Sequence, residues 1–204
     1  MMKRAFDVLL SFVALIILLP FLMIVAILIK LMMPGPVLFS QERVGLGGRR
    51  FRILKFRSMK INNSGVSITL KNDDRITPLG RFLRRSKIDE LPQLWNILIG
   101  EMSFVGFRPD VPGYHDQLQG DQRLLLSIMP GLTGADSLAY PNEEDILQHQ
   151  PDPQAFYDQY LFPDKVRINM AYMKKQSFLF DLKIIVYTLL QKKIQDPELL
   201  PKFS

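Results

Sequence analysis

The chain opens on an apolar run. Val8 to Ile29 is 22 residues without a charge, VLLSFVALIILLPFLMIVAILI, longer than the roughly 18 that mark a membrane-helix candidate. Pro20 lies at its middle, where a proline removes a backbone hydrogen bond and crowds the preceding turn, so a kink or break is expected there. A cleaved secretory leader would share the basic start at Lys3 and Arg4. The run is too long for one, however, and no small-residue cleavage site follows, so the reading is against cleavage. Pro34-Gly35-Pro36 stops the helix. VLFSQERVGLGGRRFRILKFRSM then reads as strand, glycine turn, strand, which is a hairpin. In its second strand Phe51, Ile53, Lys55 and Arg57 fall on one face by the period of two.

Residues 60–75 are polar and loop-like. Helical spacing returns over TPLGRFLRRSK (77–87), with Leu79, Phe82 and Leu83 on one face. It recurs at Leu91, Leu94, Trp95 and Leu98, and Gly100 ends that helix. Asp89 and Glu90 fall at its N-terminus, just before Pro92. Pro130 to Gly134 is a turn-rich loop. Residues 142–160 are acidic and read as an exposed helix with a proline-interrupted link. Phe162–Met173 and Ser177–Lys193 are helical in pattern. The second has Phe178, Leu182, Ile185, Val186 and Leu189 on one face and can cover a core or lie on a membrane surface. From Pro197 the tail is expected to be loose. The fold class is α+β, mainly helical, with a small β-hairpin region. Residues 1–33 form a membrane helix, 34–196 an interfacial domain and 197–204 a tail.

Charge sharpens this picture. The 204 residues carry a net +6, unevenly placed. Residues 1–33 carry +2, residues 34–108 hold 14 basic against 6 acidic side chains, and residues 109–204 carry −4. The basic middle is where an anionic ligand or an anionic bilayer would act. Both flanks of the apolar run are basic, so a straight span would carry one cluster across, against the positive-inside tendency. A helix that enters one leaflet and returns keeps both clusters on one side. From the residues alone, both arrangements stand. There are no cysteines, which removes disulfides, thiolate metal sites and a cysteine nucleophile. His115 and His149 are the two histidines, too few for a His-rich metal site, and His149 reads as a surface residue. The Gly45–Gly48 cluster lacks the lysine-serine ending of a phosphate loop and does not open onto a helix.

Taken singly, the charged candidates have ordinary readings. Lys55 and Arg57 could be a solvated strand edge, and Asp89 and Glu90 are residue types that commonly cap a helix. Their order along the chain says more. K-R-x-x-D precedes the proline-bearing helix. Then come P-G-P-V-x-F-x-Q-x-R-V-G, F-x-I-x-K-F-R-S-M, L-R-R-x-K-x-D-E-L-P-Q-L-W-N, G-x-M-S-x-V-G-x-R-P and P-G-L-T-G. This series resembles the bacterial sugar transferases, the small monotopic phosphoglycosyl transferases. It runs from Lys3 to about Gly134 and returns at Leu182-Lys183.

The resemblance implies transfer of a sugar-1-phosphate from a UDP-sugar to undecaprenyl phosphate with release of UMP, at the start of glycan assembly. It implies Mg²⁺, a helix that is re-entrant at Pro20, and a catalytic domain facing the cytosol at the bacterial inner membrane among its phospholipids. It places the family's acidic pair on Asp89 as nucleophile and Glu90 as a metal-holding residue, with Asp89 beside the metal. Arg85, Arg108, Lys55 and Arg57 become phosphate-binding cations. Two departures stand out. Leu19 precedes Pro20 where many members have Ser, and Phe107 precedes Arg108 where Pro is usual. After G-L-T-G this chain reads Ala135-Asp136-Ser137-Leu138-Ala139-Tyr140, not the usual W-A-Q-V-N-G-R, and an acidic stretch follows. The alternative class is a non-catalytic membrane-anchored scaffold, which would release no UMP. A nucleic-acid binder is disfavoured, because no recognised module accompanies the basic stretch. Nothing in the residues names the sugar, the pathway or the oligomeric state.

Overall fold

A computed structural model describes residues 2–60 and 73–203. Most of the polar stretch expected to form a loop, residues 61–72, lies outside the described residues. Helix α1 (Met2–Met32) is the first element. The helix continues through Pro20, so the chain does not break there, and a bend at the proline is compatible with an unbroken helix. Asp7, Ser11, Leu15, Leu18, Leu22, Val25, Ile29 and Met33 recur at steps of three and four and form one stripe. Residues on both sides of Pro20 pack on the same globular body: Ala14, Leu15 and Leu18 on one cluster, and Leu22, Val25, Ala26, Ile29 and Met33 on another. The opposite side of the helix leaves Leu9, Phe12, Ile16, Ile17, Ile24 and Leu31 exposed. Among the described residues this is the one helix long and apolar enough to cross a membrane.

Both ends of α1 are tied to that body. Lys3 donates to the Val105 carbonyl (2.8 Å) and pairs with Asp181, while Arg4 donates to the Ile97 (2.6 Å) and Leu98 (2.9 Å) carbonyls. At the far end the buried Arg57 guanidinium donates to the carbonyls of Met33 and Pro34.

The expected hairpin is present. Strand β1 (Leu38–Val44) pairs antiparallel with β2 (Arg50–Phe56), with Gln41 opposite Ile53. Helix α2 (Pro78–Arg85) and α3 (Gln93–Ile99) follow. Asn96 of α3, 1% exposed, serves the free edge of β2. Its carbonyl accepts from Leu54 N–H (3.0 Å), and its amide donates to the Arg52 carbonyl (2.8 Å) and to Glu101 (2.7 Å). Leu94, Ile97, Met102, Phe51 and Ile53 close the cluster beneath, each such burial contributing about 1.5–3 kcal/mol.

A second, two-stranded sheet was not foreseen. Strand β3 (Ser103–Val105) pairs parallel with β4 (Gly131–Thr133), so part of the Pro130–Gly134 loop is a strand. The approach is very close there: a Cβ on Gly106 would lie 2.0 Å from the Met129 carbonyl oxygen. Close approach explains Gly106, Gly131 and Gly134 better than turn-making does.

The remaining helices are α4 (Ala135–Ala139), α5 (Glu143–Gln148), α6 (Pro153–Phe156), α7 (Phe162–Lys175) and α8 (Phe178–Leu189). A single π turn, Tyr157–Leu161, joins α6 to α7. Tyr172, Ile168, Leu161 and Ile184 fill the largest core cluster, and α8 leaves Leu179, Val186 and Leu189 exposed. The tail is not loose at Pro197–Leu199, where a 3-10 turn buries Leu199 in that core. Arg167 donates to the carbonyls of Glu198 (2.8 Å) and Leu200 (2.7 Å) beside it.

Candidate active site

The centre is set by how α2 ends. Thr77 caps its start, accepting from Gly80 N–H (2.9 Å). A Cβ on Gly80 would meet the Ser58 carbonyl oxygen at 1.7 Å, so only glycine lets α2 lie against the chain leaving β2. At the other end Lys87 takes a left-handed conformation (φ 57°), which is uncommon for a residue with a side chain. It breaks the helix and starts a 3-10 turn, Ile88–Glu90. Asp89 and Glu90 therefore occupy a turn of their own, with α3 beginning beyond Pro92. Both are buried, at 5% and 8% exposure. Leaving the helix is what sends these acids inward.

The two carboxylates meet different surroundings. Glu90 Oε1 accepts from Lys55 Nζ (2.7 Å) and from the Arg108 guanidinium (2.6 Å). Burial alone would raise its pKa, but Arg108 and Lys55 outweigh this and hold it well below the usual carboxylate range. Arg108 is pushed up in turn, chiefly by Glu90. Burial lowers Lys55, with Glu90 opposing. Asp89 has no such clamp. Its Oδ1 is buried without a hydrogen-bond partner. Burial and then the neighbouring Glu90 raise its pKa, against the fields of Lys55, Arg84 and Lys87. The arrangement thus holds one neutralised carboxylate beside one unpartnered carboxylate, in a cationic setting. An unpartnered buried oxygen is costly unless it has a task.

Of the residues expected from the sequence, Asp89, Glu90, Lys55 and Arg108 come together. Arg85 and Arg57 are not brought in. Arg85 is exposed at the end of α2, while Arg84 is the arginine whose field reaches Asp89. The resemblance placed a phosphate-binding cation on Arg85, and α2 ends there with that side chain in solvent. Arg57 lies one residue past the end of β2, so strand alternation does not govern it, and it clamps the end of α1 instead.

Other residues around the centre gave no sequence signal. Asp136, 1% exposed, accepts from the Arg108 backbone N–H (3.1 Å) and from Asn169 (3.1 Å). Glu144 pairs with Arg84. Glu143 pairs with Lys165 (3.1 Å), which is itself buried. Arg43 donates to the Pro109 carbonyl (3.1 Å) next to Arg108. The acidic residues Glu143, Glu144 and Asp145 read as solvated because nothing local reveals which cations the fold brings to them. Elsewhere, a cavity of about 570 Å³ is lined by Tyr114, Gln117, Gln119, Gln122, Asp158 and Phe162, among others, and none of the residues of the acidic centre lines it.

Among the described residues no group of three or more His, Cys, Asp or Glu could hold a metal ion by itself. Mg²⁺ bound to nucleotides commonly needs only one or two carboxylates, the rest of its shell coming from phosphate oxygens and water. The unpartnered Asp89 Oδ1 beside Glu90 fits that requirement.

Residues 1–193 match the family model described as bacterial sugar transferase. A UDP-glucose:undecaprenyl-phosphate glucose-1-phosphate transferase of Escherichia coli (strain K12) is 36% identical over 194 residues, which are 92% of this chain and 39% of that protein. The exopolysaccharide production protein PSS of Rhizobium leguminosarum bv. phaseoli is 46% identical over 142 residues, 65% of this chain and 71% of that protein. A UDP-N-acetylgalactosamine-undecaprenyl-phosphate N-acetylgalactosaminephosphotransferase of Aeromonas hydrophila is 41% identical over 137 residues, 65% of this chain and 32% of that protein. The chain thus spans about two fifths of the E. coli relative and about a third of the Aeromonas one.

Proposed function

The chain belongs to the bacterial sugar transferase family, the undecaprenyl-phosphate sugar-1-phosphate transferases, and from that membership we propose that it moves a sugar-1-phosphate from a UDP-sugar to undecaprenyl phosphate. The observation that carries this reading is the contrast within one turn: Glu90 is neutralised by Lys55 and Arg108, while Asp89 keeps a buried oxygen without a partner.

Asp89 is the nucleophile. Its carboxylate oxygen attacks the sugar-linked phosphorus, a new P–O bond forms, and the anhydride bond breaks with UMP leaving. The phosphosugar is then held as an acyl phosphate. A phosphate oxygen of undecaprenyl phosphate attacks the same phosphorus and returns the Asp89 carboxylate. Splitting the transfer in two is ordinary covalent catalysis. Donor, acceptor and nucleophile are all anionic, so cations must separate them. Arg84, Lys87, Lys55 and Arg108 supply that field at Asp89 and Glu90. Arg108 is anchored by its own backbone and offers a planar fork suited to phosphate. Glu90, with Asp89 beside it, would hold Mg²⁺, whose charge neutralises the diphosphate when bound.

The anchor is proposed as monotopic, in the inner membrane and facing the cytosol. A straight span separates its ends by roughly 30 Å of hydrocarbon. Here Lys3 and Arg4 at one end and the carbonyls of Met33 and Pro34 at the other bind the same polar body, which supports entry and return on one side. Residues 34–196 form the catalytic domain in this reading. The sugar stays open, since the named relatives use both glucose and N-acetylgalactosamine.

The test is UMP release by protein in detergent or nanodiscs, with undecaprenyl phosphate, Mg²⁺ and a panel of UDP-sugars. Release with at least one donor, absent in Asp89→Asn, is expected. Full activity in Asp89→Asn would overturn the covalent role, and silence across the panel would favour a scaffold.

A further inference from the structure

Ala135–Gln148 borders the acidic centre. Three of its carboxylates address the cations there. Asp136 binds the Arg108 amide. Glu143 pairs with buried Lys165 and acts electrostatically on Arg108. Glu144 pairs with Arg84, the α2 arginine whose field reaches Asp89.

The Glu144 contact differs from the other two. Its side chain is 44% exposed against 23% for Arg84, and a pair so open to water adds little to folding. Only one guanidinium nitrogen of Arg84 is engaged. Among the described residues Arg84 makes no other hydrogen bond, so its remaining N–H donors are free. Arginine carries five donors in a rigid plane, so a carboxylate on one edge sets the direction of the rest. A side chain with this much rotamer freedom otherwise loses entropy each time it orders on a ligand.

We propose that Glu144 is a positioning residue, holding Arg84 by one edge so that the other edge meets the donor's diphosphate beside Asp89. This rests on the reading of the site as one for a nucleoside-diphosphate sugar. It assigns the acidic stretch after Tyr140 a task in binding the diphosphate.

The test uses the full chain in nanodiscs and two readouts: the dissociation constant of Mg-UDP by calorimetry, and KM with kcat for UMP release. Glu144→Gln is expected to weaken Mg-UDP and raise KM about five- to tenfold, with kcat within about twofold and an unchanged melting temperature. In an Arg84→Gln background the same change should cost less than about twofold, because its route to the ligand is gone. Glu144→Asp should restore part of the affinity. Equal costs in both backgrounds, or unchanged affinity in Glu144→Gln, would overturn the proposal. Tighter Mg-UDP binding in Glu144→Gln would also overturn it, and would mean that Glu144 competes with the diphosphate. If the wild type binds Mg-UDP with this coupling yet transfers nothing, the transferase reading fails and the positioning stands. If the wild type does not bind Mg-UDP, the positioning fails too.

Discussion

Glu90 is the joint of the centre, and removing it has a calculable effect. Glu90→Ala leaves Lys55 and Arg108 facing each other without their shared carboxylate. Breaking a buried pair by deleting one partner costs about 3–5 kcal/mol, because the surviving charge is left uncompensated. Lys55 and Arg108 side chains are 19% and 33% exposed, so water relieves part of this and the low end, about 3 kcal/mol, applies. For a chain of this size each kcal/mol moves the melting temperature by about 2–4 °C, so a fall of about 6–12 °C is expected near neutral pH. The sign with pH follows from the depressed Glu90 pKa. Its contribution is fully present above the ordinary value of 4.5 and is lost as pH falls through the lower folded value. The gap between wild type and variant should therefore hold at pH 7 and close only below about 4.5. Lys55→Met with Arg108→Leu in the Glu90→Ala background should recover most of the loss, since an apolar replacement of a whole buried set is often neutral. Melting in one detergent, followed by far-ultraviolet circular dichroism, reads all of this. A variant within about 2 °C of wild type at pH 7, or strictly additive losses, would refute the coupling.

Three further outcomes can be checked together. Asp89→Asn should end UMP release while raising the melting temperature at pH 7. Because the folded pKa of Asp89 is raised, ionising it disfavours the fold, and that penalty grows as pH rises from its ordinary value through the folded one. A lower melting temperature would count against an unpartnered carboxylate. For the same reason, the acid limb of kcat/KM should lie above the ordinary Asp value of 3.8 and move further up in Lys55→Met; a limb that moves down refutes the assigned field. Chelating divalent cations should abolish UMP release and leave the melting curve within about 2 °C, since no cluster of three or more candidate ligands depends on a metal for its folding among the described residues; a large loss of stability would point to a structural metal.

Much of this was open to a reader of the chain. The apolar run needs no partner to be recognised, because membrane-compatible length and absence of charge are local properties. The hairpin followed from alternation around glycines, and the helix after Pro92 from Leu94, Leu98 and Gly100. Asp89, Glu90, Lys55 and Arg108 were named through the order of their motifs, and the fold brings these four together.

Two of the expected cations lie elsewhere. The resemblance placed one on Arg85, which is exposed at the end of α2, and Arg84 beside it is the arginine whose charge acts on Asp89. Strand counting put Arg57 with Lys55, but β2 ends at Phe56 and Arg57 turns to α1. The β3–β4 pair joins residues about 28 positions apart through glycine backbones, a contact with no short-range signature. The carboxylates of Asp136, Glu143 and Glu144 look alike in sequence, as acids in a polar stretch. Which cation each one meets is a matter of distance in space, and only the tertiary structure decides that.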